Sequence, residues 1–246
     1  MRKIFIVVFV LFVWFKGLPQ IDTTIYIDLD EINIVLVGEY HDISENKRIQ
    51  FDIINYLARI SKKDIVVLLE YSTSLQYYID KLYCENDSST LKEYFLHMRR
   101  AKHDTLSMKL SLMYNFILDL YTLSRTLQNK TIIVKCVDAE YRLRPLLFTL
   151  SNVFSKYVIS DTIIRSKVKS LSLMQLKPEI TQQDFNEFDS TFRLFYLSSL
   201  DTFNNILSCE DFDLVSSMLQ YSETMDPYSD EREILMYNNI LDKYCD

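Results

Sequence analysis

Glycine and proline are almost absent from this sequence. Its 246 residues include two glycines, Gly17 and Gly38, and four prolines, whereas average usage would give about 17 glycines. Glycine-rich phosphate loops, dinucleotide-binding fingerprints and the G-x-S-x-G nucleophile elbow all need closely spaced glycines, so these motifs are excluded. Turn-dense all-β folds also depend on glycine, and the composition therefore favours helices.

Basic residues and histidines are also in short supply. The 27 Lys and Arg residues face 34 Asp and Glu residues, which gives a net charge of -7. Because nucleic-acid binding needs a basic face, no nucleic-acid partner is expected. Of the three histidines, we interpret His97 and His103 as surface residues. The four cysteines are far apart and lack the spacing of a metal site.

The only long hydrophobic run lies at the N-terminus. Arg2 and Lys3 precede an apolar stretch from Ile4 to Phe15. This length is typical of the apolar core of a signal peptide, whereas a helix that spans a bilayer needs about 20 residues. We expect residues 1–20 to be a signal peptide or anchor, and the protein to be exported to the periplasm, the medium or the outer surface. No cysteine follows the run, so a lipoprotein is not expected. Membrane contact is expected only through this segment, if it stays uncleaved.

Two β-branched runs with a helical repeat between them predict a βαβ unit. Residues 32–37 and 65–69 are predicted to be buried strands, and residues 23–27 are also strand-like. Between the two buried strands, apolar residues recur at helical spacing, at Ile49, Ile53, Leu57 and Ile60. A strand, a helix and a strand within this length imply parallel strands joined by a right-handed crossover.

The rest of the chain is predicted to be helical around one more strand. That strand covers residues 131–137, and it follows a long helical insertion. The predicted helices cover residues 74–84, 89–100, 105–127, 142–157, 161–174, 182–207, 211–221 and 229–244. The predicted fold class is therefore α/β: a parallel-sheet core with a large helical insertion and a helical C-terminal half, with residues 21–246 as a single domain.

An acidic residue follows each predicted strand of the core. Glu39, Glu70 and Asp138 come at the three strand ends, and His41 is close to the first. Ligands of open α/β sheets bind beyond the carboxyl ends of the strands. These residues therefore predict one cleft at a shared sheet edge, and the alternative is a set of ordinary solvated loops and helix caps.

His41 is the residue in this group whose side chain is best suited to proton transfer or metal binding. A neighbouring carboxylate such as Glu39 favours the imidazolium and fixes the tautomer of the ring. In that setting His41 is either a general base for water or a metal ligand with a carboxylate partner. The residues alone leave both alternatives open.

A second candidate feature lies near the C-terminus. Arg232, Met236 and Asn239 stand at i, i+4 and i+7, which places them on one face of a helix. A face with arginine at one end and asparagine at the other is unusual for a core stripe. The alternative is an exposed helix with incidental polar residues.

Together these residues resemble the erythromycin esterase-like and ChaN-like superfamily. The resemblance rests on Gly38-Glu39-Tyr40-His41-Asp42, Gln50, Glu70, Val137-Asp138 and Arg232-Glu233-x-x-Met236-x-x-Asn239. It implies an α/β fold with a helical insertion and a cleft at the strand ends. In the esterase branch, the histidine of the first motif acts as a general base on a water that attacks an ester. In the ChaN-like branch, the fold is tied to haem binding and iron uptake.

The resemblance also implies roles for individual residues. We expect His41, Glu39, Glu70 and Arg232 to be catalytic, with the Arg232 guanidinium over the cleft and paired with Glu39 or Glu70. The residues expected to bind substrate are Tyr40, Tyr71, Asp138, Met236 and Asn239. The cofactor is unknown, with a divalent metal ion and haem as the candidates, and the expected partner is a small-molecule ligand or substrate.

The chain departs from the family pattern at its C-terminal end. Family members continue into another core strand that carries a second histidine, but no histidine follows His103 here. We therefore expect a truncated domain. The alternatives to a hydrolase are a binding protein for haem or another flat apolar ligand, with Tyr40, Tyr71 and Met236 as its walls, and an inactive family member.

Overall fold

A computed structural model describes most of the chain. The described residues are 4–7, 34–36, 45–99, 104–138, 140, 142–177, 179–220, 232, 234 and 236–240. They form two compact units. The first comprises Met1–Glu70 and Ser111–Lys135, and the second comprises Tyr71–Leu110 and Cys136–Asp246.

A four-stranded sheet with the order β2-β1-β3-β4 is the framework of the first unit. The strands are β1 (Ile4–Val7), β2 (Ile34–Leu36), β3 (Ile65–Ser72) and β4 (Ile132–Asp138). β1 pairs in parallel with both β2 and β3, and Phe5 stands opposite Ile34 on one side and Val66 on the other. The predicted α/β fold with a parallel sheet is confirmed, and the final residues of β3 and β4 belong to the second unit.

The strand β1 lies within the segment that the sequence assigns to a signal peptide or anchor. Its position between β2 and β3 makes it an inner strand of the sheet. The strand-like run at residues 23–27 lies outside the described residues. Among the helices that the structure describes, none is both long and apolar enough to cross a membrane.

The helix α1 (Glu45–Ile60) connects β2 to β3 and completes the predicted βαβ unit. It buries one face, made of Gln50, Ile54, Leu57 and Ala58. Of the four apolar residues whose spacing predicted this helix, only Leu57 is buried. The repeat therefore identified the helix correctly, but it did not identify the face that packs on the sheet.

The helical insertion follows β3 as the sequence predicted. It consists of α2 (Thr73–Glu85), α3 (Ser89–Arg99) and α4 (Asp104–Thr126), and the chain then enters β4. Asn86 ends α2 in the left-handed conformation, with φ of 55°. Asparagine tolerates that conformation better than most residues, so it replaces the glycine that usually ends helices.

Every regular element in the described part of the C-terminal half is a helix. Its helices are α5 (Leu143–Phe154), α6 (Thr162–Gln175), α7 (Gln182–Phe188), α8 (Leu194–Leu197), α9 (Leu200–Asn204) and α10 (Cys209–Gln220). The single helix predicted over 182–207 is divided by a π-helical turn, Asp189–Arg193, and by Ser199, whose φ of -129° and ψ of 28° are not helical. Residues 232, 234 and 236–240 are also helical, and we call them the C-terminal helical segment.

Leucines of α5 and a group of aromatic rings form the core of the second unit. Leu146, Leu147 and Leu150 are fully buried on α5. The rings pack edge to face and stacked, with centroids 4.6–6.5 Å apart, among Phe154, Phe185, Phe188, Phe192, Tyr196 and Phe203. Buried aromatic pairs of this geometry stabilise a core beyond the effect of their buried area.

Candidate functional site

The residues predicted to form the site are only partly covered by the structure. Glu39, Tyr40 and His41 lie outside the described residues. Glu70 belongs to the first unit. The remaining predicted residues belong to the second unit, and they are Tyr71, Asp138, Arg232, Met236 and Asn239.

Glu70 and Tyr71 lie inside β3 and not beyond its end. The sequence placed the end of this strand at Leu69, but the extended backbone continues to Ser72. Both side chains are half-buried. The junction between strand and helix is therefore three residues later than predicted, at Ser72 and Thr73, where α2 begins.

Asp138 and Arg232 form a bidentate ion pair. Asp138 is the last residue of β4 and is buried. The Arg232 guanidinium donates from Nε to Oδ1 and from Nη2 to Oδ2, both at 2.8 Å. A bidentate pair of this kind fixes both side chains, because the planar guanidinium matches the two carboxylate oxygens. The sequence predicted a pairing of Arg232 with Glu39 or Glu70. Glu39 lies outside the described residues, and the partner found for Arg232 is Asp138.

Asn239 provides a second link between the C-terminal helical segment and β4. Its Nδ2 donates a 3.0 Å hydrogen bond to the carbonyl oxygen of Val137. Met236 is buried on the same segment, whereas Ile234 and Tyr237 are exposed. Arg232, Met236 and Asn239 therefore face the protein as their spacing indicated, and the exposed-helix alternative is wrong for these three residues.

A second buried carboxylate lies two residues after Asp138. Glu140 is 1% exposed, and its Oε2 accepts a 3.1 Å hydrogen bond from the backbone N–H of Ser74. Ser74 is the second residue of α2, so Glu140 satisfies one of the free N–H groups that begin this helix. Its other oxygen, Oε1, is buried and has no hydrogen-bond partner in the part of the chain that the structure describes.

The surroundings of Glu140 favour its neutral form. Burial raises the pKa of this carboxyl group from 4.5 to about 7, the Ser74 and Ser72 groups oppose the rise, and the Asp138 carboxylate adds to it. Tyr94 is fully buried nearby, and its pKa is also raised, first by burial and then by Glu140. Titratable groups with displaced pKa values are frequent at functional sites.

Serine hydroxyls surround the start of α2. Ser72 is the N-cap residue, but its side chain makes no capping hydrogen bond. Its Oγ lies 3.0 Å from the Ser74 Oγ, which in turn lies 3.4 Å from the Tyr94 hydroxyl. The Glu140 carboxyl group thus occupies the position that an N-cap serine oxygen normally takes.

His97 is buried, which corrects the sequence interpretation of this residue. It is 9% exposed and stacks on Phe148, with ring centroids 4.4 Å apart and planes within 12°. It lies on the face of α3 that also buries Tyr94 and Met98. Helical spacing places these residues side by side, and a lone histidine on a partly apolar face gave too weak a signal for burial. His103 lies outside the described residues.

Sequence reasoning did not select three residues of this region. Glu140 was visible as the second acid after β4, but Ser74 and Tyr94 carried no motif. Their roles arise from the packing of α2 and α3 against the end of β4. The one usable signal was a second carboxylate only two residues after Asp138, at a strand end.

The described residues contain no group of three or more His, Cys, Asp or Glu side chains able to hold a metal ion. They do contain two buried carboxylates in different environments, one paired with arginine and one with a pKa near neutrality. No family model, curated protein or solved structure matches this chain.

Proposed function

We propose that this protein is hydrolase-like, related to the erythromycin esterase-like and ChaN-like superfamily, and acts on an ester-type substrate. The observation that carries the proposal is the bidentate contact between Arg232 and Asp138, two residues 94 positions apart. Both belong to the motifs on which the resemblance rests. Their contact supports a common site at the end of β4.

The Asn239 contact is independent support. Asn239 closes the R-E-x-x-M-x-x-N motif, and its amide binds the carbonyl oxygen of Val137, the residue before Asp138. Two members of one motif thus bind two consecutive residues of the other. A helix that packed by chance on this strand would have no reason to use its motif positions in this way.

In the proposed mechanism, His41 removes a proton from a water molecule as that water attacks the ester carbonyl. The C–O bond to the alcohol then breaks, and the His41 imidazolium returns the proton to the departing alkoxide. Glu39 and Glu70 orient the imidazole and stabilise its charged form. Arg232 supplies positive charge for the oxyanion that develops. Asp138 acts as a positioning residue, because its two oxygens fix the direction of the guanidinium.

Ester hydrolysis by the full chain tests this proposal. We expect p-nitrophenyl acetate to be hydrolysed by the unmodified protein and by His103→Asn, and the rate to fall to background in His41→Asn. The rate of the unmodified protein should rise with pH as the His41 imidazole loses its proton. Equal rates in His41→Asn and His103→Asn would remove His41 from the mechanism.

The binding alternative is tested on the same samples. If ester hydrolysis is absent and added haem gives a saturable absorbance change, the protein binds haem without catalysis. Loss of activity in a chelator, with recovery on adding a divalent metal ion, would assign His41 to a metal ion instead. Absence of all three responses would indicate an inactive relative.

We also propose that the protein is exported, on the basis of the basic and apolar N-terminal segment. The position of β1 between β2 and β3 supports retention of Ile4–Val7 in the exported chain. The intact mass of the exported protein tests both points. A mass that lacks residues 1–20 would show cleavage and loss of β1.

A further inference from the structure

An apolar stripe runs along the exposed side of α1 in the first unit. Ile49, Tyr56 and Ile60 are 48%, 47% and 43% exposed, and the half-buried Ile53 lies between them. Their spacing of four, three and four residues places all of them on one line of the helix. Scattered apolar residues on a surface are ordinary, but four in one line along a single helix form a contact surface.

The contacts of Lys47 give the direction of this stripe. Its Nζ lies 5.4 Å from the ring centroid of Phe116, so α4 packs on the Lys47 side of α1. Each residue of a helix is rotated by about 100° from the one before it. With this rotation, Lys47 lies on one side of the buried face formed by Ile54 and Leu57, and the stripe lies on the other side. The stripe therefore faces away from α4.

α4 leads into β4, which is the last strand at one end of the order β2-β1-β3-β4, and α1 follows β2 at the other end. Among the described residues, Lys47 is the residue of α1 that contacts α4 through an aromatic ring, and the stripe lies on another side of the helix.

We propose that the apolar stripe on α1 is the interface of a symmetric dimer of the chain. The charges beside the stripe favour a second copy as the partner. Asp52 and Arg59 are both exposed, and they lie seven residues apart, on one line next to the stripe.

A two-fold axis at the level of Asn55 and Tyr56 makes the two α1 helices antiparallel. Asp52 of each copy then faces Arg59 of the other, so one surface supplies both complementary charges twice.

The same axis also suits the apolar residues. In the antiparallel arrangement, the side chains of one stripe fall between those of the other.

Sedimentation velocity of the full chain over a wide concentration range tests the dimer. We expect the unmodified protein to show a concentration-dependent dimer. Asp52→Arg and Arg59→Asp should each raise the dissociation constant about tenfold or more, because each places like charges together at two points. The double variant Asp52→Arg/Arg59→Asp should recover most of the lost affinity, because it restores both pairs with their signs reversed.

Ile60→Glu and Ile163→Glu form a matched pair for the apolar stripe. Ile163 is a comparably exposed isoleucine on α6 of the second unit. Ile60→Glu should give a monomer with an unchanged far-UV circular dichroism spectrum, and Ile163→Glu should remain a dimer. A chain that is monomeric at every concentration would overturn the proposal, as would a double charge variant no tighter than the single ones. Neither result depends on hydrolytic activity.

Discussion

The end of β4 and the start of α2 each hold a buried carboxylate, but the two are satisfied in opposite ways. Asp138 receives two hydrogen bonds from Arg232 and keeps a countercharge. Glu140 receives a hydrogen bond from the Ser74 backbone, and its second oxygen has no hydrogen-bond partner among the described residues. Two acids only two positions apart in the sequence are therefore held in place by different interactions, one by an ion pair and the other by a backbone hydrogen bond.

The difference shows what a distant partner contributes. For Asp138, a guanidinium from 94 residues away offsets part of the cost of removing the carboxylate from water. For Glu140, burial raises the pKa, and the groups that oppose this rise are the neutral Ser74 and Ser72. A neutral carboxyl group at this position can accept the hydrogen bond from the start of α2 without burying a charge. It does so only at pH values where it keeps its proton.

Arg232→Ala is expected to have the largest effect on this comparison. It leaves the Asp138 carboxylate buried without its countercharge, and breaking such a pair costs about 3–5 kcal/mol of the free energy of unfolding. Urea denaturation at pH 7 measures the loss. Glu85→Ala serves as a control, because it removes an exposed pair with Lys81 at 3.8 Å and should cost less than about 1 kcal/mol. Equal losses in the two variants would show that the Asp138 carboxylate does not depend on Arg232.

Glu140→Gln is expected to have the next largest effect, and the effect should depend on pH. The pKa of Glu140 is raised to about 7 in the folded protein. The stabilisation from its bound proton is therefore complete below the ordinary value of 4.5 and is lost as the pH rises through 7. Glutamine is always neutral, so the variant should be more stable than the unmodified protein at pH 8, by up to about 3 kcal/mol, and similar to it at pH 4.5.

Urea denaturation at several pH values measures this difference. Glu93 is exposed on α3, and Glu93→Gln should follow the unmodified protein at every pH. A Glu140→Gln variant whose stability runs parallel to that of the unmodified protein from pH 4.5 to 8 would show that Glu140 keeps its charge throughout.

Asn239→Ala is expected to have the smallest effect. It removes one hydrogen bond to the Val137 carbonyl and leaves the Arg232 pair in place, so it should cost about 1 kcal/mol. Asn238 is exposed on the same segment, and Asn238→Ala should change the stability by less than half of that. If the two neighbours gave the same value, the Asn239 contact would not contribute to stability.

Most of the helices could be predicted from the sequence, because their apolar residues repeat over long segments. The predicted helix over 105–127 matches α4 (Asp104–Thr126), and the predicted strand over 131–137 matches β4 within one residue at each end. The interruption at Ser199 was not predictable from such a pattern, since the aromatic residues before and after it keep a helical spacing.

Burial was harder to predict than secondary structure. Gln50 is buried on α1 while Ile49 is half exposed, because tertiary packing decides which face of a helix meets the sheet. The residues of the candidate site show the same difference between what a sequence pattern predicts and what packing decides. The motifs indicated Asp138, Arg232 and Asn239 correctly as residues of one region, but the roles of Ser74 and Tyr94 depend on how α2 and α3 pack.

The long separation between Asp138 and Arg232 has a consequence for synthesis on the ribosome. Domains begin to fold while the chain is still emerging, and β4 is made well before the residue that neutralises its last carboxylate. Until position 232 has left the ribosome, burial of Asp138 lacks the countercharge that Arg232 later supplies. We therefore expect the end of β4 to complete its packing late, with nascent chains that stop before Arg232 remaining open to protease at this strand.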